Sequence, residues 1–569
     1  MIETRSSWAS DVLAQRLVEL GIRQVYFTAG SSFRGLFDSF GALPEGVRPT
    51  LTPCLHEEHA VSMAHGAAKV SGHPAVVLVH SNVGFLHALM AIYNAYCDRV
   101  PMLILGATGP FDAAVRRPWI DWVHTMGDQG ALARAFLKWD DQPTSLEAAL
   151  DSVDRAVAIT STAPFAPTLV TFDIEMLESS VAQPPVQRPR PPAVSGLSAD
   201  AATVQAVAAA CAEAESPAIL MGRMSRDSAD WERRIELAER LGAAVFTDMK
   251  VAAAFPSDHP LHAGTLGLRN QRFGRSDALA GIDLVLSFDW VDLAGLEPHW
   301  RSRGEGRPLI ISVSVDEYLH NGGTRDHQRY AAVDRRILAS PDQLVSDLLV
   351  ELRRKPGTRL AERQQNHAQA PDGSGADPEL AVLANALRAT VGSRPACLVR
   401  VPLSWDETFW PLEGPLDYLG SDGGGGLGSG PGMAIGAAWG LHEAGILPLA
   451  VIGDGDYLMG INALWSAARR TVPLLLVVID NGGYLNEQLH QVDLARKRDR
   501  LNPLSGLGSV LDSPAIDLAA LAAAQGFSAR SCSIEDDSLA SCFASALEVV
   551  DNGEPALVVV GMSDRLAAN

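Results

Sequence analysis

Cysteine is scarce and scattered in this chain of 569 residues: Cys54, Cys97, Cys211, Cys397, Cys532 and Cys542 form no close pair. That spacing supplies neither a zinc site nor the framework of a small secreted domain, and a reducing, cytoplasmic setting is expected. Positive charge is also short, 46 Lys and Arg against 67 Asp and Glu, a formal net charge of -21. Such a field repels phosphate backbones and anionic lipid, so neither nucleic acid nor a membrane surface is an expected partner. No uninterrupted apolar run is long enough to span a bilayer, and Met1-Ile2-Glu3-Thr4-Arg5 does not read as a leader. An unexported protein outside the membrane is the expectation.

What is present is a globular composition, 47% apolar and 20% charged, at a length that calls for several cores. Two breaks divide it: the Pro-rich Gln183 to Pro192, extended by composition, and the polar tract Lys355 to Asp377. The expected domains are 1–182, 193–354 and 377–569. Each alternates apolar strand runs with Ala-rich helices: Ala75 to Val79 and Met102 to Leu105 in the first, Leu284 to Phe288 and Leu309 to Val313 in the second. The pattern predicts an α/β chain of three doubly wound parallel-sheet domains.

The third domain holds the most informative spacing. Leu449 to Ile452 reads as a buried strand and ends on Gly453-Asp454-Gly455; Leu474 to Ile479 reads as another and leads into Asn481-Gly482-Gly483. Asn462 to Arg470 reads as the helix between them. A strand-helix-strand unit lays its strands parallel and adjacent, so Asp454 and Asn481 should emerge together at the carboxyl edge, where such sheets bind ligands. Hard oxygen donors topped up by phosphate and water suit Mg²⁺, and the glycines admit phosphate close to the backbone. Taken singly, each fragment is an ordinary turn; together, after two buried strands, they predict a magnesium-diphosphate site.

The run from Gly453-Asp454-Gly455 to Asn481-Gly482-Gly483-Tyr484 resembles the signature of the thiamine diphosphate (ThDP) enzymes of the pyruvate decarboxylase, acetolactate synthase and benzoylformate decarboxylase group. The resemblance implies Asp454, Asn481 and the Gly483 carbonyl as Mg²⁺ ligands, with Gly453, Gly455 and Tyr484 beside the cofactor. Asp456 stands where many members have a small hydroxyl residue. His56-Glu57-Glu58-His59 to Gly66 resembles the family's Glu-bearing helix, and counting back from Gly66 places on Glu57 the carboxylate that faces the aminopyrimidine ring. Gly423 to Pro431 matches the stretch that positions the cofactor, with Leu427 as the residue that holds it bent. The family order of pyrimidine-binding, central and diphosphate-binding domains covers essentially the whole chain. It implies a homodimer or homotetramer whose active sites are shared between subunits, so that Glu57 and Asp454 of one site come from different chains.

For the substrate the resemblance is mixed. Ser31 aligns with a Ser that touches the substrate carboxylate in benzoylformate decarboxylase, and His80 with a His of that enzyme. His124 resembles the second His of the His-His-Thr loop of pyruvate decarboxylases, and Glu487 takes the place of their active-site Glu. Duller roles stay open: a turn or cap hydroxyl for Ser31, hydrogen-bonded structural imidazoles for His80 and His124, an exposed helix charge for Glu487. The stretch Phe288 to Leu293 lacks the central-domain His of benzoylformate decarboxylase, and the helix after Tyr484 lacks the Trp typical of acetolactate synthases. The loop Arg116-Arg117-Pro118-Trp119-Ile120-Asp121-Trp122 reads either as a recognition surface for an anionic substrate larger than pyruvate or as an ordinary surface loop. The expected activity is non-oxidative decarboxylation of a 2-oxo acid to an aldehyde and CO₂, with a C–C lyase or carboligase as the alternative.

Overall fold

The computed structural model describes residues 7–182, 188–268, 279–297, 307–316, 330–354, 377–420, 423–500, 507–535 and 538–563. Three wholly parallel sheets carry it, as the alternating pattern predicts. In spatial order the first comprises Thr50–Cys54, Gln24–Thr28, Ala75–Val79, Met102–Thr108, Pro167–Asp173 and Trp139–Asp141. The second runs His262–Leu266, Ala244–Asp248, Pro217–Met221, Leu284–Phe288, Leu309–Ser314 and Arg335–Leu338, and the third Ala396–Arg400, Leu447–Gly453, Leu475–Asp480, Ala556–Gly561 and Ser528–Ser533. Central strands such as Ala75–Val79 are buried at every position, because helices cover both faces. A two-stranded antiparallel pair, Ser7–Trp8 with Ser180–Val181, ties the start of the first unit to its end, a pairing too short to read in sequence.

The tract 355–376 and residues 183–187 of the Pro-rich linker lie outside the described residues. The rest of that linker is extended and held down by Arg16, which donates to the carbonyls of Arg188 at 2.8 Å and Pro189 at 2.9 Å.

The first and third units meet through two helices, Glu57–Ser71 and Ser429–Glu443, which cross where small residues let the backbones touch. A Cβ on Gly436 would lie 1.9 Å from the Met63 carbonyl oxygen, and one on Gly66 2.1 Å from that of Met433. The second unit is joined to the first by charge: Arg99 and Arg223 both bind the buried Asp316, at 2.8 and 3.0 Å. Asp316 lies just past the carboxyl end of strand Leu309–Ser314, so this edge of the central sheet serves as an interdomain joint. Among the described residues no helix is long and apolar enough to cross a membrane.

Candidate active site

Strands Leu447–Gly453 and Leu475–Asp480 pair in parallel, so the residues after them, Asp454 and Asn481, emerge side by side. Asp454 does not sit in a loop, as a turn reading of Gly-Asp-Gly would have it; it opens the short helix Asp454–Gly460, and the expected helix Asn462 to Arg470 is a 3₁₀ turn followed by Leu464–Arg470. Its Oδ1 accepts from Gly455 N at 2.7 Å, and its Oδ2 from Asn481 N at 3.2 Å and Gly483 N at 2.8 Å. Burial nevertheless pushes the carboxyl up to about 6, the backbone donors only partly offsetting it. Among the described residues the buried Oδ1 of Asn481 has no hydrogen-bond partner, a state that costs on the order of 1–3 kcal/mol when left so. A partnerless amide oxygen beside a buried carboxylate is the donor set a divalent cation satisfies, so the residues present fit Mg²⁺.

Gly483 is at φ 152, and a Cβ there would lie 2.1 Å from the Ser509 carbonyl oxygen, so only glycine fits. Its own carbonyl accepts from Leu485 N at 3.0 Å, leaving a second lone pair for a ligand. The Tyr484 ring lies against Gly455. Glu487, in the first turn of helix Leu485–Lys497, is exposed.

Asp456, rather than facing a ligand, organises the glycine run. Its Oδ1 accepts from Gly428 N at 2.7 Å and Gly430 N at 3.2 Å, while Oδ2 pairs with Arg400 Nε at 3.1 Å. On the other side of the same run Gly426 N donates to Asn94 Oδ1 at 3.2 Å. Leu427 is thus pinned between two anchors and stands exposed at the crest.

The other half of the site gathers at the carboxyl edge of the first sheet. Helix Glu57–Ser71 begins at His56, whose Nδ1 caps it by accepting from Glu58 N at 3.2 Å. Glu57, its first residue, is buried against helix Ser81–Cys97, with Oε2 3.2 Å from His87 Nδ1. Glu58, a third of a turn around, faces the third unit instead; its carboxyl is raised by burial and by the charge of Asp456. His56, Glu57 and His87 each bring one potential ligand atom within 4.8 Å of the others. The two rings are stacked, 4.9 Å apart and 17° from parallel, so their in-plane lone pairs do not converge on one ion.

His80 directly follows strand Ala75–Val79, and its direction is set by Ser81, buried at φ 45. Its Nδ1 lies 2.7 Å from Ser32 Oγ, and its ring meets that of His124 edge-on at 4.9 Å. Burial and then His124 press its pKa below the usual imidazole value, with Glu57 acting in the opposite sense. His124 is carried in by a loop held at two adjacent carbonyls: Asn82 Nδ2 donates to Val123 O at 3.1 Å, and Gly109 N to His124 O at 2.9 Å. Ser31 is exposed, and its buried neighbour Ser32 makes the contact with His80. In the Arg116 to Trp122 loop both guanidinium groups have local partners, although Arg117 stays half-exposed. Arg116 Nε donates to Pro110 O at 2.6 Å, and Arg117 Nη2 to the buried Asp121 at 2.7 Å.

The structure therefore builds two half-sites: Asp454, Asn481 and Gly483 with the glycine run, and Glu57, His80, His124 and Ser32. Among the described residues no hydrogen bond joins Glu57 or His80 to Asp454 or Asn481. Sequence reasoning missed Ser32, Asn82, His87 and the Asp456–Arg400 tie. Ser32 adjoins Ser31, Asn82 stands two residues past His80 and His87 about two helix turns past it, and only the fold distinguishes them.

Fold and site together define a thiamine enzyme. The family models for the N-terminal, central and C-terminal domains of thiamine pyrophosphate enzymes match residues 7–132, 204–318 and 403–560, and the chain belongs to this family. It is 24% identical over 532 residues to benzoylformate decarboxylase of Pseudomonas aeruginosa, covering 88% of each chain. It is 23% identical over 498 residues to acetolactate synthase 2 of Zea mays, covering 83% of this chain and 73% of that one. The crystal structure of benzoylformate decarboxylase from Polynucleobacter necessarius superposes with a TM-score of 0.78 at 20% identity, covering 98% of this chain and 99% of that one, a likeness of fold.

Proposed function

We propose that the protein is a Mg²⁺-dependent ThDP enzyme that decarboxylates a 2-oxo acid to an aldehyde and CO₂ in the cytoplasm. When bound, ThDP supplies the electron sink for the carboxylate that leaves. Asp454, Asn481 and the Gly483 carbonyl hold the cation, Gly453 and Gly455 admit the diphosphate, Tyr484 packs beside them, and Leu427 supports the bend between the rings. Glu57 holds and moves a proton at the aminopyrimidine ring. His80 and His124 deliver the proton that completes the aldehyde, Ser31 binds the substrate carboxylate with Ser32 orienting His80, and Glu487 serves at the rim.

The observation that carries this reading is the His80–His124 pair, two half-buried imidazoles meeting at the sheet edge beside Glu57. A general acid placed beside the carboxylate that activates the cofactor is what separates protonation of the product from its transfer to a second carbonyl. The test is CO₂ release from aliphatic, aromatic and sugar-derived 2-oxo acids, with Mg²⁺ and ThDP present or omitted. Silence across the panel in a protein that binds ThDP would overturn the decarboxylase.

A second reading, a C–C lyase or carboligase, is favoured by the likeness to acetolactate synthase. Product analysis with and without an acceptor aldehyde separates the two.

The two half-sites are completed by a second copy of the chain, as homodimer or homotetramer. Helix Ser81–Cys97 supports this: Val83, Leu86 and Met90 stand exposed with His87 at helical spacing, an apolar stripe on the helix that holds Glu57. Light scattering across a dilution series, read beside specific activity, tests it.

A further inference from the structure

We propose that Trp119 and Trp122 are specificity-determining residues, forming an apolar wall that receives a large apolar 2-oxo acid substituent, an aromatic ring or a branched chain. This rests on the decarboxylase reading above and extends it to the substrate class.

The two indoles are 70% and 66% exposed, more than any other tryptophan among the described residues. Large apolar rings are seldom left in water by a loop that could fold over them. This loop is not free to do so. Trp119 is held at φ 53 and ψ -43, a positive-φ conformation that bulky residues rarely adopt. Ile120 N donates to Pro118 O at 2.7 Å, Arg117 is paired to the buried Asp121, and Thr125 Oγ1 donates to Asp121 O at 2.6 Å.

The loop is thus a rigid bracket. Trp122 stands two residues before His124, whose ring reaches His80, and Asn82 clamps Val123 between them. On this proposal, an acid that reacts beside His80 and His124 directs its substituent outward past this bracket. Arg116 is bonded to the carbonyls of Pro110 and Phe111, and the half-exposed Arg117 to Asp121, so both guanidinium groups already have partners and the apolar surface the loop offers is indole.

The test compares the wild-type chain with Trp119→Ala, Trp122→Ala and the double variant, with Trp122→Phe as the conservative control. Both positions are exposed, so folding should be unaffected, and light scattering checks assembly. Rates are measured on benzoylformate and on pyruvate. Binding of mandelate, which cannot be decarboxylated, is read separately by quenching of tryptophan fluorescence.

The expected result is a loss on the order of 10- to 100-fold in kcat/KM for benzoylformate, carried mainly by KM. Pyruvate turnover should hold, Trp122→Phe should retain most of the activity, and mandelate should bind more weakly to the double variant. Equal losses on both acids, unchanged mandelate binding, or dissociation of the assembly in the variants would overturn the inference, the last assigning the indoles to a subunit contact. If the wild type turns over neither acid, the decarboxylase reading fails, while mandelate binding still decides whether the indoles form a wall.

Discussion

Arg400 and Asp456 form a buried ion pair, Nε to Oδ2 at 3.1 Å, and the free oxygen of that carboxylate holds the amides of Gly428 and Gly430. The glycine run thus owes its shape to a charge held from the neighbouring strand. Asp456→Ala removes the acceptor of three hydrogen bonds at once, at a cost of about 1–3 kcal/mol. The expected outcome is a lower melting temperature together with weaker ThDP binding, followed by calorimetry and cofactor titration. An unchanged melt would show that the loop is held by something else.

At the crossing of helices Glu57–Ser71 and Ser429–Glu443, Gly436→Ala places a methyl group 1.9 Å from the Met63 carbonyl oxygen. Backbone must move, and about 3 kcal/mol or more of stability should go. Gly440→Ala, whose methyl would meet only Val70 Cγ1 at 3.0 Å, is the milder control. Urea unfolding of the pair checks the ranking.

Glu57→Gln keeps the shape of the side chain against His87 but removes the titrating group. Turnover should fall strongly while Mg²⁺ and ThDP still bind, and wild-type activity in this variant is incompatible with the role given to Glu57. His80→Ala and His124→Ala should each cost on the order of 10²–10⁴ in rate if they transfer protons.

His59, deep in the Glu57–Ser71 helix, has its pKa pushed down to about 4 by burial and by His56. The unfolded chain takes up this proton near pH 6.5, while the fold refuses it until about 4. Stability contributed by the neutral ring is therefore complete above pH 6.5 and is lost as pH falls towards 4, by up to about 3 kcal/mol. Asp248, raised to about 6 by burial, works in the opposite sense over part of that range. The difference between wild type and His59→Gln isolates the histidine: denaturation at several pH values should show a shallower acid decline in the variant.

Much of this was legible in the sequence because parallel strands buried on both faces leave uninterrupted apolar runs, and ligand-binding residues follow their carboxyl ends. Asp454 and Asn481 are readable on that ground alone. The choice of Ser32 over Ser31 at His80 was not, since a 3₁₀ turn decides which hydroxyl points inward. Nor was the partner of Asp456, because Arg400 lies 56 residues earlier, on the neighbouring strand. The local partners of Arg116 and Arg117 were equally hidden; sequence supplies the charge of a loop but not what that charge binds.

Glu57 and Glu58 are consecutive, yet one faces His87 and the other looks towards Asp456, and the helix that bears them is locked to Ser429–Glu443 with no room for a methyl group at the crossing. In an assembly where each site draws its acid from one chain and its cation from another, that locked pair becomes a crossbar. Through it the geometry of the glycine run and the position of the glutamate would be set by one piece of packing.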